Sequence, residues 1–345
     1  MTSKVTIIIL NWNGWEDTIE CLESVYQIDY TDYDIVVVDN GSKDKSIEKL
    51  KEYAAGRLRV ESSFFKYSLD NKPLRLIEYS QEELKFSDRI RKDLYIKKNL
   101  NNLSLERNLI LIKNNENYGF AEGNNIAINF SLEVLKPDYV LLLNNDTVVD
   151  PNFLNELIQI AESDSDIGIL GPSVFDYKPP CHIQSAGLKI LWSKGDVIDF
   201  AFEGDLSLSP QEVDAVTGCA ILAKSELLTK IGLLNKNYFA YFEEVEWCVR
   251  ARRAFYNIVY VPEGKVWHKG GATSNKITGF ALYQHTRNRF WFMKQHASYK
   301  QYGLFLAYFF GFKFFSFVGW ALLHKNKLLL MSFLRGVKDG LLASG

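Results

Sequence analysis

The sequence predicts an α/β fold in which a mixed, mainly parallel sheet is flanked by helices and followed by an apolar, basic helical tail. Three observations lead there. Asp138-Tyr-Val-Leu-Leu-Leu143 is an unbroken apolar run of strand length, as expected of a central strand buried on both faces. The first 50 residues alternate strand, helix, strand, helix, the pattern of right-handed βαβ units. From Leu304 to Leu323 every residue except Lys313 is apolar, aromatic, small or Ser.

Taken in order, Val5–Leu10 reads as the first strand and Asn11-Trp12-Asn13-Gly14 as a turn. Trp15–Gln27 is helical, with Ile19, Leu22, Val25 and Tyr26 on one face. Asp34–Asp39 is the second buried strand, and Ser42 or Asp44 suits the N-cap of a helix over Ser46–Tyr53. Periodicity fades between Gly56 and Arg107, which reads as a charged insertion between units of the sheet. Inside it, Ser80 and Glu83 form a capping-box pattern. Leu109–Lys113 resumes the strands, and Gly119–Gly123 opens a helix over Asn124–Leu135. Tyr139–Leu143 is the next strand, and Pro151 begins a helix to Glu162 at the position where its missing N–H costs nothing. Ile258–Val261 is a late strand leading to His268 and the Gly270-Gly271 pair.

Composition sets bounds. A chain of 345 residues, 47% apolar, can bury one large core, or one domain with a smaller appendage, and a net charge of −2 gives no support to nucleic-acid binding. Its four cysteines (Cys21, Cys181, Cys219, Cys248) show no paired spacing, which speaks against a zinc or disulfide framework and fits a reducing compartment. The tail departs from the whole: from Lys300 onward there are six Lys or Arg and one acid, Asp339. Three readings of it stand: an interfacial helix pair on anionic headgroups, a membrane-spanning helix, and an ordinary buried helix. Spanning would place Lys313 near mid-bilayer at a cost of about 2.5–3.5 kcal/mol.

Several segments have the makings of a site. Asp39 and Asp146 both end strands, so both lie along the sheet edge where open α/β folds bind ligands. Asp146, flanked by Asn144, Asn145 and Thr147, suits a divalent cation carrying phosphate, and equally a turn. Asn117–Asn125 sets Gly119 and Gly123 before a helix start, where backbone N–H groups can approach a diphosphate. Glu243, Glu244 and Glu246 are three acids among aromatics. Apolar surroundings raise a carboxyl pKa and suit a general base, while a helix start with Glu246 and Arg250 paired at i,i+4 is the plain alternative. His268 beside a carboxylate would form a site for Mn²⁺ or Mg²⁺, its nitrogen favouring manganese.

In this order these residues resemble the family 2 inverting glycosyltransferases of GT-A fold, nearest the rhamnosyltransferase-like branch of surface-polysaccharide assembly. The resemblance runs from Val5 to about Met293. It implies a catalytic domain over 1–298, interrupted by 56–107, and a membrane-associating tail over 299–345. It also implies a nucleoside-diphosphate sugar donor, a glycan or polyprenyl-linked acceptor, and a place at the cytoplasmic face of the cell membrane.

Residue by residue, the resemblance places Asn11 and Asp39 at base and ribose, and Gly119, Gly123 and Asn124 beside the nucleotide sugar. Asn145 lies in the Asp-x-Asp position, with Asp146 and His268 on the metal. Glu244 takes the place of the catalytic base, with Glu243 beside it; Gly218 shapes the sugar pocket, and Arg287 and Asn288 lie near the acceptor. The sequence departs from the pattern twice, with a single acid in the metal motif and Glu where Asp is common as base. A nucleotidylyltransferase is a rival, but its Gly-x-Gly-x-Arg signature is missing after the first strand. A non-catalytic, membrane-attached sugar-binding or scaffold member is the other.

Overall fold

The computed structural model describes residues 2–99, 108–200, 209–270 and 279–342. Residues 100–107 of the expected insertion, Gly271 of the glycine pair and the last three residues of the tail lie outside these. The strands are β1 (Val5–Asn11), β2 (Tyr33–Asp39), β3 (Arg75–Ser80), β4 (Asn108–Lys113), β5 (Tyr139–Asn144), β6 (Thr147–Val149), β7 (Ile167–Asp176), β8 (Ile183–Ser185), β9 (Leu188–Leu191), β10 (Asp196–Asp199), β11 (Gln211–Glu212), β12 (Ala220–Lys224) and β13 (Asn257–His268). The helices are α1 (Trp15–Val25), α2 (Ser46–Ala54), α3 (Ser87–Asn99), α4 (Gly119–Phe130), α5 (Phe153–Ala161), α6 (Ser225–Ile231), α7 (Glu243–Arg253), α8 (Phe280–His296), α9 (Tyr299–Tyr308), α10 (Phe314–Leu323) and α11 (Lys327–Leu342).

Eleven strands form one sheet, nine of them in the order β11-β13-β7-β12-β5-β1-β2-β4-β3, with β6 paired to β13 and β8 to β7. The half built from β5, β1, β2, β4 and β3 is parallel, as the βαβ alternation predicts, while β12 runs antiparallel to both β5 and β7. Successive residues of the central strands point to opposite faces. Ile7, Ile9, Val37, Leu141 and Leu143 pack in one cluster with α1, α2 and α5, and Ile8, Val36, Val38 and Leu142 in another with α4 and α7. Both faces being covered, the strands carry apolar runs rather than an alternating pattern.

The segment expected to be an insertion contributes β3, which lies parallel to β4 at the sheet's edge. Its capping box is present, with Ser80 N–H donating to Glu83 Oε2 at 2.7 Å. The N-cap of α2 is Lys45 rather than Ser42 or Asp44, although Asp44 accepts from the Ser46 N–H beside it. Helix α4 begins at Gly119, five residues before the expected start at Asn124, so both glycines lie inside its first turns. β13 likewise runs on through Pro262 to His268 as one irregular strand. Helix α5 starts at Phe153, two residues after Pro151.

Candidate active site

Strand register brings the acids and amides to one edge. Asn11 lies opposite Asp39, and Leu10 opposite Asn144, so the ends of β1, β2 and β5 are level. Past Asp146 the chain doubles back as β6, whose Thr147 pairs with His268 at the end of β13. That return puts residues 122 positions apart side by side, with His268 Nε2 lying 3.2 Å from Asp146 Oδ1. On its other nitrogen, His268 Nδ1 meets Gln184 Oε1 at 2.6 Å. An amide oxygen only accepts, so Nδ1 carries the proton and Nε2 turns its lone pair, or a second proton, on the carboxylate.

Burial acts to raise the Asp146 carboxyl, but the hydrogen bond and charge of His268 outweigh it, and the net shift is downward. Two acceptors 3.2 Å apart are joined by a proton or a cation, and one carboxylate with one oriented imidazole suits Mn²⁺ or Mg²⁺. Among the described residues no group of three or more His, Cys, Asp or Glu is placed to hold a metal. Among the described residues Asp146 and His268 are the pair so placed, which leaves positions for ligand or water oxygens. Lys269, next in sequence, pairs with Asp17 and Glu20 of α1 at 2.6 Å each and holds the end of β13 against that helix.

The end of the edge at Asn11 and Asp39 is a closed polar network. Asn11, fully buried, donates to Asp39 Oδ1 at 2.8 Å and accepts from Thr18, while the Ser42 N–H donates to Asp39 Oδ2. Asn145 donates to Thr18 Oγ1 and to the Gly14 carbonyl. Asp39 and Asn145 thus shape two neighbouring turns through contacts within the protein.

The Asn117–Asn125 segment differs from the expected diphosphate cradle. The Phe120 and Ala121 N–H groups both donate to the Phe239 carbonyl. Gly119 has φ +78°, and a Cβ there would lie 2.6 Å from Phe239. At Gly123 a Cβ would meet Leu10 at 2.8 Å and Asn40 at 3.0 Å, so this glycine permits close packing of α4 on β1. Asn124 donates back to the Phe120 carbonyl, and the side chain of Asn40 ties Asn114, Asn117, Tyr118 and Gly119 together. These glycines and amides build the wall of the site because their polar groups are already bonded within it.

Opposite that wall stands the start of α7. Phe239, Tyr241 and Phe242 adopt φ of +64°, +70° and +75°, a run of strained non-glycine residues. Asn288, fully buried on α8, holds the strained loop by donating to the carbonyls of Tyr238, Ala240 and Tyr241 at 2.7–3.0 Å. Arg287 adds a bond to the Tyr238 carbonyl at 2.8 Å and one to Asn288 Oδ1. The pair expected near the acceptor serves here to position the loop that leads into Glu243 and Glu244.

Glu244 Oε2 is buried and, among the described residues, has no hydrogen-bond partner; Glu243 Oε2 is the same. Burial lifts the Glu244 carboxyl to about 7, and burial followed by the neighbouring Glu244 charge lifts Glu243 well above its ordinary value. Both stand in the first turn of α7, where the helix dipole favours the anion, so desolvation is the stronger effect. Gly218 faces Glu244, whose side-chain carbons lie 3.7–3.8 Å from where a Cβ would be. The next residue, Cys219, accepts through its carbonyl from the Asn144 N–H, two residues before Asp146. Gly218 and Cys219 therefore form the bridge between Glu244 and the Asp146 turn. Glu246 has the structural part expected of it, paired with Arg250 at 2.8 Å while that arginine donates to the carbonyls of Ile231 and Leu233.

Sequence reasoning missed Gln184, Asn40 and Phe239. Each is an ordinary residue type with no motif around it, and its partner lies far along the chain.

Comparison with known proteins gives the family and the fold. A family model described as glycosyltransferase-like family 2 matches residues 103–291, more than half of the chain, and one described as glycosyl transferase family 2 matches residues 6–67. The low-salt glycan biosynthesis hexosyltransferase Agl10 of Haloferax volcanii is 28% identical over 176 residues, covering 50% of this chain and 56% of that protein. The dTDP-rhamnosyl transferase RfbF of Shigella flexneri is 24% identical over 196 residues, covering 55% of this chain and 61% of that one. The chain thus matches somewhat over half the length of these curated relatives. In fold it resembles the mannosyltransferase PcManGT from Pyrobaculum calidifontis, solved in complex with GDP-Man and Mn²⁺. The TM-score is 0.54 at 12% identity, over 99% of this chain and 88% of that one. The chain belongs to glycosyltransferase family 2, as a rhamnosyltransferase-like member with the GT-A fold.

Proposed function

We propose that this chain transfers a hexose, rhamnose or a close relative, from a nucleoside-diphosphate sugar to a glycan or polyprenyl-linked acceptor at the cytoplasmic face of the cell membrane. The reaction inverts the anomeric centre. One observation carries the reading: a carboxyl raised to about 7, Glu244, stands on the Gly218 bridge that leads to the Asp146 and His268 pair. A base with a pKa near the working pH is both available and effective.

In this reading the turns held by Asn11 and Asp39 frame the nucleoside, and Gly218 leaves room for the sugar. Asp146 and His268 would hold Mn²⁺ or Mg²⁺, which when bound supplies Lewis-acid neutralisation of the leaving diphosphate. Glu244 takes the proton from the acceptor hydroxyl. The hydroxyl oxygen forms a new bond to the anomeric carbon from the opposite face as the carbon–oxygen bond to the diphosphate breaks, and the nucleoside diphosphate departs with that electron pair. Glu243, carrying a proton, adds no second negative charge beside the base. Asn288 and Arg287 act as positioning residues, holding the loop that aims Glu244.

The test is nucleotide release from a panel of UDP-, dTDP- and GDP-sugars with Mn²⁺. Release with one donor class, lost in Glu244→Gln, is the expected result; no release with any donor would favour a non-catalytic role.

A further inference from the structure

The C-terminal helices show a placement that the function alone does not require. Among the described residues, Tyr299–Leu323 is the one helix long and apolar enough to cross a membrane. Its 25 residues would reach about 37 Å, enough to span a bilayer. Yet one narrow stripe of this helix rests on the protein, its first half on α8 and the β9–β10 turn and its second half on α11, while most of the helix stays exposed. Phe305 and Phe309 are buried, with ring centroids 5.1 and 4.7 Å from Phe290 of α8. Phe305 also covers Gly195 of the β9–β10 turn, where a Cβ would come within 2.7 Å of its ring. Phe317 lies 4.4 Å from Phe333 of α11, and Ala321 is buried.

Lys313 falls on the same stripe. It pairs with Asp196 of β10 at 2.9 Å, and Asp196 also receives Arg289 of α8. The charge that would burden a spanning helix is therefore matched by the catalytic body. A single π-helical turn over Phe309–Lys313 helps keep this stripe, spaced every four residues, on one side. Helix α11 then lies along α8, where the missing Cβ atoms of Gly336 and Gly340 allow approach to Thr286 and Phe290, each 2.8 Å from an added Cβ. A helix ringed by lipid cannot also have a globular domain along its length.

The opposite side of these helices is apolar and uncovered: Leu304, Phe312, Phe315, Leu323, Leu328 and Met331 are 49–83% exposed. Lys300, Lys325, Lys327 and Arg335, all exposed, belong to the same helices and the turn between them. The only acid of the tail, Asp339, already accepts from Tyr283 and faces Arg335. An apolar face on helices that carry exposed cations complements an anionic lipid surface, whereas a second copy would set the same cations against each other.

We infer that α9, α10 and α11 form a platform that lies flat on an anionic bilayer and does not cross it, the Asp196, Arg289 and Lys313 cluster keeping the long helix on the catalytic body. The inference deepens the proposed use of a membrane-carried acceptor and rests on it for its purpose only.

The test uses the full chain with sealed phosphatidylcholine vesicles, with and without phosphatidylglycerol. Binding is expected to favour the anionic vesicles. Phe315→Glu and Leu323→Glu should each lower the bound fraction on the order of tenfold. Phe86→Glu, an exposed site beyond the β3 edge of the sheet, should leave it unchanged. Lys300→Cys and Lys325→Cys, made in a Cys181→Ser background because the other three cysteines are buried, mark the two ends of the helix. Both should react with a membrane-impermeant maleimide from outside. Protection of Lys325→Cys until detergent is added would overturn the inference in favour of a spanning helix. Absence of vesicle binding, with a dimer that Phe315→Glu dissolves, would overturn it in favour of contact between copies. Donor turnover measured without vesicles keeps the two readings apart, because flat binding by a protein that releases no nucleotide upholds the platform and removes the enzyme.

Discussion

The side-chain amide of Asn288 donates to the carbonyl of Tyr241 at 2.7 Å, fastening a strained loop two residues before the carboxylates of α7 begin. The same amide reaches Tyr238 and Ala240. Through the Phe239 carbonyl, that loop also caps the first N–H groups of α4. The wall of the site and its candidate base thus share one support.

Removing that support should therefore affect both. Asn288→Ala takes the side-chain donor from the Ala240 and Tyr241 carbonyls, leaves that of Tyr238 to Arg287, and loosens a loop with three positive-φ residues, at a cost of about 2–3 kcal/mol in stability. We expect nucleotide release to fall at least tenfold in the folded fraction, since the base loses its aim. Chemical denaturation and steady-state kinetics on the same preparation check this, and full activity would remove Asn288 from the positioning role.

Glu244 makes a prediction in pH. Its folded carboxyl titrates at about 7, above its ordinary value of 4.5, so the base form and the rate should rise as pH passes upward through about 7. Stability runs the other way. Between these values the folded protein holds a proton that the unfolded chain has lost, so this group's contribution falls as pH rises from 4.5 to 7. Glu244→Gln should fold normally, lose about 10²–10⁴-fold in rate and lessen the slope of this part of the stability profile, the remainder being that of the buried Glu243. A pH–rate profile with no limb near 7 would count against the base.

Gln184 is predicted to act through His268. Gln184→Ala frees the imidazole to rotate and should weaken Mn²⁺ binding by about 10–100-fold, with less change in melting temperature than in affinity. Asp146→Asn should weaken metal and donor binding together. Calorimetric titration of Mn²⁺, with and without nucleoside diphosphate, measures both, and unchanged affinity in Asp146→Asn would end the metal assignment.

Gly119→Ala tests the wall. The new Cβ would sit 2.6 Å from Phe239 at a φ of +78°, so a loss of about 2–4 kcal/mol is expected from strain and clash together. Gly218→Ala has no such clash, only ordinary contact with Glu244, and should keep stability while lowering turnover. Denaturation curves of the two variants separate a structural glycine from one that makes room.

How far the sequence reaches can be read from single elements. The strand ending at Asn144 was legible because burial on both faces leaves an apolar run, and its carboxyl end had to reach the ligand edge. Glu244 stood out because acids among aromatics are costly unless they act. The pairing of His268 with Asp146 agrees with the geometry, although only β6 folding back onto β13 creates it.

Local patterning by itself determined the alternation of strands and helices, the parallel half of the sheet and the edge at which chemistry gathers, because hydrophobic period and caps act over a few residues. Tertiary structure alone decided which polar groups remain available. Asn288 and Arg287 grip a loop 47–50 residues away, and Gln184 orients a histidine 84 residues on. The N–H groups after Gly119 are answered by Phe239, and Lys313 by Asp196, 117 residues before it. Buried polar groups must find partners wherever the fold brings them. Spacing along the chain does not record that choice.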